Sequence, residues 1–279
     1  DQNSNTWKRV VTDLADKADA AGNFPSLSYF LIRDELPAAY KDVNQSIYYQ
    51  ITHPDLPSTQ AAILDAFNDG NLIFNFIGHA SQSQYGNASF FNLGSLSHLN
   101  NTDKLSINVI MSCLEGYYID ARRPGQTNLI DSLAEQFVRY PNGGAVASWS
   151  SAGFAVATGH DHLNRGFFRA VFSNRVETIG EAVQSGLFRL WEYSRFQELL
   201  HLYHLFGDPA MKFQRTLLAR PDSFSLEYNT QVVFSEAQLI QNDDNPENAT
   251  LTLDLEAPPS NGILTDHGDG SWTYTPDQD

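Results

Sequence analysis

Cysteine is almost missing from this chain of 279 residues, which has Cys113 alone. A single thiol excludes disulfides within the chain and any zinc site built from several cysteines. Basic residues are also scarce, since 17 Lys and Arg stand against 33 Asp and Glu and give a net charge of −16. Because such a surface repels phosphates, we expect no nucleic-acid partner. Hydrophobic residues make up 42% of the chain, which excludes a disordered protein.

Long apolar runs are missing too. The longest, such as Leu72–Ile77, have the length of a buried strand, so we expect no membrane span. The chain begins at Asp1 without an initiator methionine or a signal peptide, and we interpret it as a piece of a longer precursor. Glycine-rich phosphate-binding patterns are absent as well, and the residues themselves indicate no required cofactor.

Residues 1–215 alternate short apolar runs with amphipathic segments, which predicts one α/β domain. The predicted strands are SIYYQI at 46–51, LIFNFI at 72–77, INVIM at 107–111 and AVASW at 145–149. The predicted helices are 58–69, 129–140 and 178–193. Ser58 begins the first and Gly70 ends it, and Thr178 and Glu181 form a capping box at the start of the third. Near-continuous apolar strands between helices are typical of a three-layer, mostly parallel sheet with helices on both faces.

Residues 216–279 have a different composition, with turn-forming pairs between alternating runs at Thr250–Leu255 and Ser271–Thr275. This pattern predicts a second, all-β domain of the Ig-like sandwich type. Only three or four strands are visible, whereas such a sandwich needs about seven. We therefore expect the sandwich to be incomplete, or to be completed by a partner.

Two of the predicted strands end in reactive side chains. His79 follows the strand at 72–77, and Cys113 follows the strand at 107–111. Because parallel strands present their carboxyl ends at one edge of the sheet, where ligands bind, we expect these side chains to lie close together. An imidazole beside a thiol raises its thiolate fraction, and main-chain N–H groups at residues 78–80 and 113 could stabilise an oxyanion. On these residues alone, a packing cysteine and an ordinary hydrogen-bonded histidine stay open as the alternative.

Three segments resemble a known family. NFIGHAS at 75–81, MSCLEGY at 111–117 and HLFGDPA at 204–210 look like the three characteristic segments of the gingipain family of cysteine peptidases. SLAEQ at 132–136 and GGAVA at 143–147 fit as well, and the resemblance covers roughly residues 7–213 in the family's order. It implies a caspase-like fold of clan CD. It also implies that this chain supplies the catalytic second subdomain, with an upstream subdomain of the same precursor as a partner.

The same resemblance assigns roles to residues. Cys113 would be the nucleophile and His79 the base of a dyad that hydrolyses peptide bonds through a thioacyl-enzyme intermediate. The oxyanion donors would be main-chain groups of Cys113 and Ala80, and the carboxylate that orients the histidine falls near Asp16. The family usually has glycine where this chain has Ala80, which accepts fewer backbone angles and bears on the oxyanion geometry.

Substrate specificity does not carry over from the arginine-cleaving gingipains. Their acidic pocket residue corresponds to Tyr29 here, so a basic substrate side chain has no obvious counter-ion unless Asp34, Glu35 or Asp161 supplies it. An ordinary core and loop role for the aromatic residues after the strand at 145–149 is the alternative to substrate contact. The expected substrate-binding residues are Trp149, Ser150, Phe154 and Tyr29.

PPSNGILT at 258–265 and DGSWTYTP at 269–276 resemble the bacterial cadherin-like, Ig-type repeat of large surface and secreted proteins. The resemblance implies a secreted bacterial protein, extracellular or at the cell surface.

Calcium stays open as a structural ion without an assigned site. The turn at Asn242–Asp244 offers acidic ligands, although a solvated loop is the favoured interpretation. His160, Asp161 and His162 could bind a metal, but polar residues at a helix start are the favoured interpretation. Asp208 is assigned to a structural turn.

Two functions follow from these residues. The first is an extracellular cysteine endopeptidase that acts on a protein or peptide substrate through Cys113 and His79. The alternative is a catalytically silent surface or assembly module that keeps the caspase-like scaffold. The missing first subdomain, the Ala80 departure and the incomplete sandwich support the alternative.

Overall fold

The computed structural model describes residues 6–119, 131–193, 196–215, 217, 219, 222–243, 245, 250–255 and 257–277. The chain divides into two compact units, residues 1–214 and residues 215–279. Within the described residues, no helix has the length and apolar composition needed to cross a bilayer.

The first unit is built around one large sheet. In chain order it contains β1 (Val11–Ala15), α1 (Phe24–Glu35), α2 (Ala38–Lys41), β2 (Gln45–Tyr48), α3 (Leu56–Asp69), β3 (Ile73–Ile77), β4 (Ala80–Ser81), β5 (Gln84–Tyr85), β6 (Phe91–Asn92), β7 (Ser106–Met111), α4 (Leu133–Arg139), β8 (Ala145–Ser151), α5 (Ala157–Phe172), α6 (Ile179–Tyr193) and β9 (Tyr203–Phe206). Short 3₁₀ helices lie at Thr6–Arg9, Leu93–His98 and Gln197–His201.

Six strands form the large sheet in the order β2-β1-β3-β7-β8-β9. Every neighbouring pair is parallel except β8 with β9, which is antiparallel at the edge. Strands β4, β5 and β6 form a small antiparallel sheet. The predicted α/β class with a mostly parallel sheet is confirmed.

Helices cover both faces of this sheet. On one face, α3 and α4 bury Phe67 and Phe137 against Phe74, and the Phe67 and Phe74 rings stack with centroids 4.2 Å apart. On the other face, α5 packs against α1, α6 and β7. Gly186 of α6 permits close packing there, because a Cβ atom on it would lie 2.5 Å from the Trp149 ring.

Helix capping largely follows the sequence. The predicted capping box of α6 is present, with the Glu181 main-chain N–H donating to Thr178 at 3.3 Å and the Thr178 N–H donating to the Glu181 carboxylate at 2.9 Å. Helix α3 is instead capped by Asp55, whose carboxylate accepts from the Ser58 N–H at 2.8 Å. The helix ends at Gly70, which has a φ of 91°.

Strand β1 is absent from the predicted strands because a carboxylate lies at its centre. Asp13 is fully buried, and its carboxylate accepts hydrogen bonds from Asn75 at 2.8 Å, from Tyr48 at 3.2 Å and from Ser28. Burial raises the pKa of Asp13, while these three donors act in the opposite sense. A carboxylate with three hydrogen-bond donors can occupy the middle of a parallel sheet. The strand that carries it then lacks the continuous apolar run from which the other strands were predicted.

The second unit contains β10 (Val232–Ser235), α7 (Glu236–Ile240), β11 (Gly262–Asp266) and β12 (Ser271–Pro276). Its strands form an antiparallel sheet in the order β10-β12-β11, so the predicted strand at 271–275 is confirmed. The strand predicted at Thr250–Leu255 is wrong, since these residues have no regular secondary structure. An alternating run forms a strand only when it pairs with another strand, and residues 250–255 pair with none of the three strands of this sheet.

Candidate active site

The carboxyl ends of β3 and β7 lie level at one edge of the sheet. Ile77 pairs with Met111, and the Gly78 N–H donates to the Met111 carbonyl at 3.2 Å. His79 and Cys113 each lie two residues beyond these paired positions, and both line one cavity of about 180 Å³. The structure therefore brings the two predicted reactive side chains to the same edge.

Cys113 is half-buried on a turn that is fixed to the segment after β8. Its sulfur accepts from the Ala155 N–H at 3.4 Å and donates to the Ala155 carbonyl at 3.6 Å. The next residue, Leu114, has a left-handed φ of 60°, and its N–H donates to the Gly153 carbonyl at 3.0 Å. A non-glycine residue in this conformation is uncommon and marks a sharp change of chain direction. The turn points the thiol into the cavity.

Asp19 holds the His79 ring. The His79 Nε2 atom lies 2.8 Å from a carboxylate oxygen of Asp19, and the edge of the Phe24 ring packs on the imidazole with centroids 5.3 Å apart. A hydrogen bond from the Ala21 N–H, followed by the His79 contact, lowers the pKa of Asp19. Asp19 thus stays ionised and fixes the imidazole, a role that was expected of Asp16.

Asp16 is a buried carboxylate near His79. One of its oxygens accepts from the Lys17 N–H at 2.8 Å, and the other has no hydrogen-bond partner within the described residues. Burial raises its pKa. The ring contact expected of Asp16 is made by Asp19. Asp16 also makes Gly78 obligatory, because a Cβ atom on that glycine would lie 2.5 Å from the Asp16 Cβ.

The hairpin that follows His79 sets the direction of the Ala80 N–H. The Gly86 N–H donates to the His79 carbonyl at 2.7 Å, and Ala80 is paired with Tyr85. In this antiparallel register Ala80 and Tyr85 form a non-hydrogen-bonded pair. The Ala80 N–H therefore points away from the β4–β5 hairpin.

Two of the four expected substrate-binding residues lie in the core. Trp149 and Ser150 are fully buried in β8, and the Trp149 ring stacks on Phe167 with centroids 5.5 Å apart. They cannot contact a substrate in this structure, because β8 is an inner strand of the sheet and is covered on both faces. Phe154 is 79% exposed and adjoins Ala155. Tyr29 is 55% exposed on α1, outside the lining of the cavity.

The three carboxylates considered as counter-ions for a basic substrate already bind arginines of this chain. Glu35 receives both Arg169 nitrogens at 2.8 and 3.1 Å, and Asp161 receives Arg165 at 3.0 Å. Asp34 also accepts from Arg165, at 3.2 Å. The pairs of Asp34 and Glu35 join α1 to α5, and the Asp161–Arg165 pair lies within α5, so all three carboxylates stabilise the scaffold.

Metal ligation receives no support from the candidate clusters. Asp161 binds an arginine, the His162 ring stacks near Tyr193 and the His160 ring is buried. Across the residues that the structure describes, no group of three or more His, Cys, Asp or Glu side chains is arranged to hold a metal ion. Asp244 lies outside those residues. Asp208 accepts the Ala210 N–H at 2.9 Å, as expected of a turn residue.

Glu115, two residues after the thiol, has a perturbed ionisation that no local sequence pattern indicates. It is fully buried and accepts the Tyr85 hydroxyl at 3.2 Å. Burial raises its pKa to about 7, and hydrogen bonding to Ser150 and Tyr85 acts in the opposite sense. The Glu115 main chain is also used, since its carbonyl accepts the Ala134 N–H at 3.3 Å. The turn that carries the thiol is thereby anchored to α4.

Comparison with known families follows the same division of the chain. The model of peptidase family C25 matches residues 1–214. This chain belongs to peptidase family C25. A cadherin-like domain model matches residues 218–279, so the C25 region is followed by a cadherin-like domain.

Curated relatives of this C25 chain are gingipains. Gingipain R1 of Porphyromonas gingivalis is 25% identical over 198 residues, which cover 65% of this chain and 18% of that protein. Gingipain R2 of the same species is 26% identical over 177 residues, which cover 57% of this chain and 22% of that protein. The chain therefore spans about a fifth of the length of these relatives.

Solved structures show the same fold. The crystal structure of the Arg-specific cysteine proteinase gingipain R has a TM-score of 0.63 at 17% identity, and the match covers 99% of this chain and 62% of that one. A complex of the pro- and mature domains of RgpB from P. gingivalis has a TM-score of 0.62, also at 17% identity, and the match covers 99% of this chain and 63% of that one.

Proposed function

We propose that this C25 chain is a cysteine endopeptidase that uses Cys113 as nucleophile and His79 as base. The observation that carries the proposal is the shared cavity, which a thiol and an imidazole from two neighbouring strand ends both line. The family membership supports the same chemistry. This chemistry requires no cofactor, because the thiolate and the imidazole supply the nucleophile and the proton transfers.

The reaction begins when the thiol proton passes to His79 and the sulfur attacks the carbonyl carbon of the peptide bond. The carbonyl oxygen takes the negative charge, and the main-chain N–H groups of Ala80 and Cys113 are the proposed donors to it. The C–N bond then breaks, and the amine leaves with the proton from His79. Water attacks the resulting thioester, His79 takes the water proton, and the acid product and the thiol are released.

Asp19 is the proposed orienting residue for His79. Its carboxylate is ionised and lies within hydrogen-bonding distance of the ring. A fixed carboxylate selects the ring tautomer and stabilises the imidazolium that forms during acylation. In the structure the thiol contacts Ala155, so the proposed reaction includes a displacement of the segment at 153–156 when a peptide binds.

The test is cleavage of a broad peptide library by the full chain, by Cys113→Ala and by His79→Ala. We expect turnover and labelling by a thiol-reactive peptide probe only with Cys113 in place, and acylation slowed by orders of magnitude without His79. Asp65→Ala, on the exposed face of α3, is the matched control. Equal cleavage by the full chain and by Cys113→Ala would refute the assignment.

The second candidate is a catalytically silent module on the same scaffold. The observation in its favour is that the thiol is hydrogen-bonded to both main-chain groups of Ala155, so the sulfur already has other partners. The full chain is to be assayed alone and with an upstream subdomain of its precursor. Turnover in either assay contradicts this candidate, and its absence in both supports it.

The proposed setting is outside a bacterial cell or at its surface. The cadherin-like domain after the peptidase region supports this placement, because such a repeat suits a surface or secreted protein. Protein or peptide chains are the proposed substrates. Immunodetection in intact cells, with and without an external protease, tests the placement, and full protection from the protease would contradict it.

A further inference from the structure

His160 is a buried polar side chain that the proposed reaction does not use. It is the fourth residue of α5, it is 2% exposed, and it lines the cavity that holds His79 and Cys113. Neither of its ring nitrogens has a hydrogen-bond partner. A buried polar group without a partner is costly, and in native proteins it is commonly matched by a water or a ligand group.

The imidazole of His160 is neutral. Burial lowers its pKa to about 3, so it carries no charge at physiological pH. A neutral imidazole has one N–H donor and one acceptor nitrogen. The nearest aromatic contact is the Tyr203 ring, with centroids 5.9 Å apart in an edge orientation that leaves hydrogen bonding unsatisfied. The chemistry that complements this ring is an uncharged group that both donates and accepts.

The rest of the cavity disfavours a cation. No carboxylate belongs to its lining, all of which lies in the described residues. Asp161 faces Arg165, and Asp19 is engaged by His79. The amino end of α5 also adjoins the cavity through Val156 and Ala157 without a side-chain cap, and the partial positive charge of a helix start opposes a cationic ligand.

The size of the cavity fits one side chain of moderate length. Its volume of about 180 Å³ equals the space of roughly six water molecules. Apart from the two histidines and the cysteine, its lining is apolar, with Phe24 on one side and Val156 on the other. Such a cavity holds an aliphatic stem, and a single polar pair at its end fixes the orientation.

We propose that this cavity binds the substrate side chain on the acyl side of the cleaved bond, and that His160 selects a carboxamide, Gln or Asn, in place of Arg or Lys. The inference rests on the proposed peptidase function. A ligand in the cavity meets one ring nitrogen of His160, and a carboxamide suits either tautomer, because its NH₂ donates to an acceptor nitrogen and its oxygen accepts from an N–H. Displacement of the segment at 153–156, which frees the thiol, opens the path to the ring.

The experiment measures kcat/KM of the full chain on fluorogenic peptides that differ only at the residue before the cleaved bond. Asn is compared with the similarly shaped Leu, Gln is compared with Met, and Arg and Lys are included. We expect the carboxamides to exceed both their apolar counterparts and the basic residues by about tenfold or more, because loss of a hydrogen bond to a buried group is penalised strongly.

Variants at α5 show whether His160 causes the preference. In His160→Leu the Asn-to-Leu ratio should fall about tenfold or more, and in His160→Gln, which keeps a donor and an acceptor, much of the ratio should return. His162→Leu is the matched control, since that ring lies two residues further along α5 and outside the lining. It should leave the ratio as in the unmodified chain.

Each other outcome overturns the inference in a distinguishable way. Preference for Arg or Lys by a Cys113-dependent activity refutes the role of His160 and leaves the peptidase proposal standing. An equal loss on all substrates in His160→Leu, with a lowered unfolding midpoint, shows that the ring only packs the core. Absence of cleavage of every peptide, by the chain alone and with an upstream subdomain of its precursor, refutes the peptidase function, and the specificity inference falls with it.

Discussion

The ionisation of Glu115 predicts how the stability of this chain varies with pH. The side chain is fully buried, and burial raises its pKa from an ordinary value of 4.5 to about 7. The folded state therefore holds a proton that the unfolded chain releases at lower pH. The contribution of Glu115 to the free energy of unfolding is fully present below pH 4.5. It decreases as the pH rises and is lost above about pH 7.

The size of this loss follows from the shift. Each pH unit between the two pKa values changes the free energy of unfolding by about 1.4 kcal/mol, so the loss attributable to Glu115 is about 3 kcal/mol. Glu115→Gln keeps the acceptor for Tyr85 and removes the titration. The free energy of unfolding of the variant should therefore not decrease by this amount as the pH rises. Other titrating groups, such as Asp13 and Asp16, are present in both proteins, so their effects cancel when the variant is compared with the unmodified chain.

The assay is urea unfolding of the full chain and of Glu115→Gln, followed by helix ellipticity from about pH 4.5 to about pH 8. Because six of the seven α-helices that the structure describes lie in the first unit, this signal reports its unfolding. The midpoint difference between the two proteins should change by about 1 M urea or more over this range. A difference that stays constant with pH would refute the reasoning.

Two further substitutions test the site and the core. Asp19→Ala should lower kcat/KM about tenfold or more, because the His79 ring loses the carboxylate that holds it. Asp65→Ala, on the exposed face of α3, should leave kcat/KM unchanged. Equal kcat/KM values for the two variants would contradict the orienting role of Asp19. Phe137→Ala should lower the free energy of unfolding by about 3–5 kcal/mol, because a fully buried ring leaves a cavity. Phe188→Ala, at a ring that is 60% exposed, should change it far less, and equal losses of unfolding free energy would contradict this account of the core.

The parallel sheet was predictable where its strands are apolar. Leu72–Ile77 and the run at 107–111 are short, hydrophobic and close to glycines, so they indicate buried strands and place His79 and Cys113 at strand ends. Strand β1 escaped prediction because Asp13 interrupts its apolar pattern, and its donors come from α1, β2 and β3.

Side-chain contacts between distant residues were harder to predict. Asp19 meets His79 across 60 positions of the chain, and no local pattern marks that pairing. Trp149 was expected at the substrate because it lies near a strand end, yet its ring is buried against Phe167 of α5 and Gly186 of α6. Which side chains reach a cavity depends on the order of the strands, which local sequence does not specify.

The arginine pairs between α1 and α5 have a mechanical consequence. Phe24 begins α1 and Ala157 begins α5, and both lie at the cavity, whereas the Glu35–Arg169 pair fastens these helices a dozen residues further along. The two helix starts that line the cavity are therefore held together by an ion pair outside its lining. We expect loss of that pair to shift Phe24 relative to Ala157.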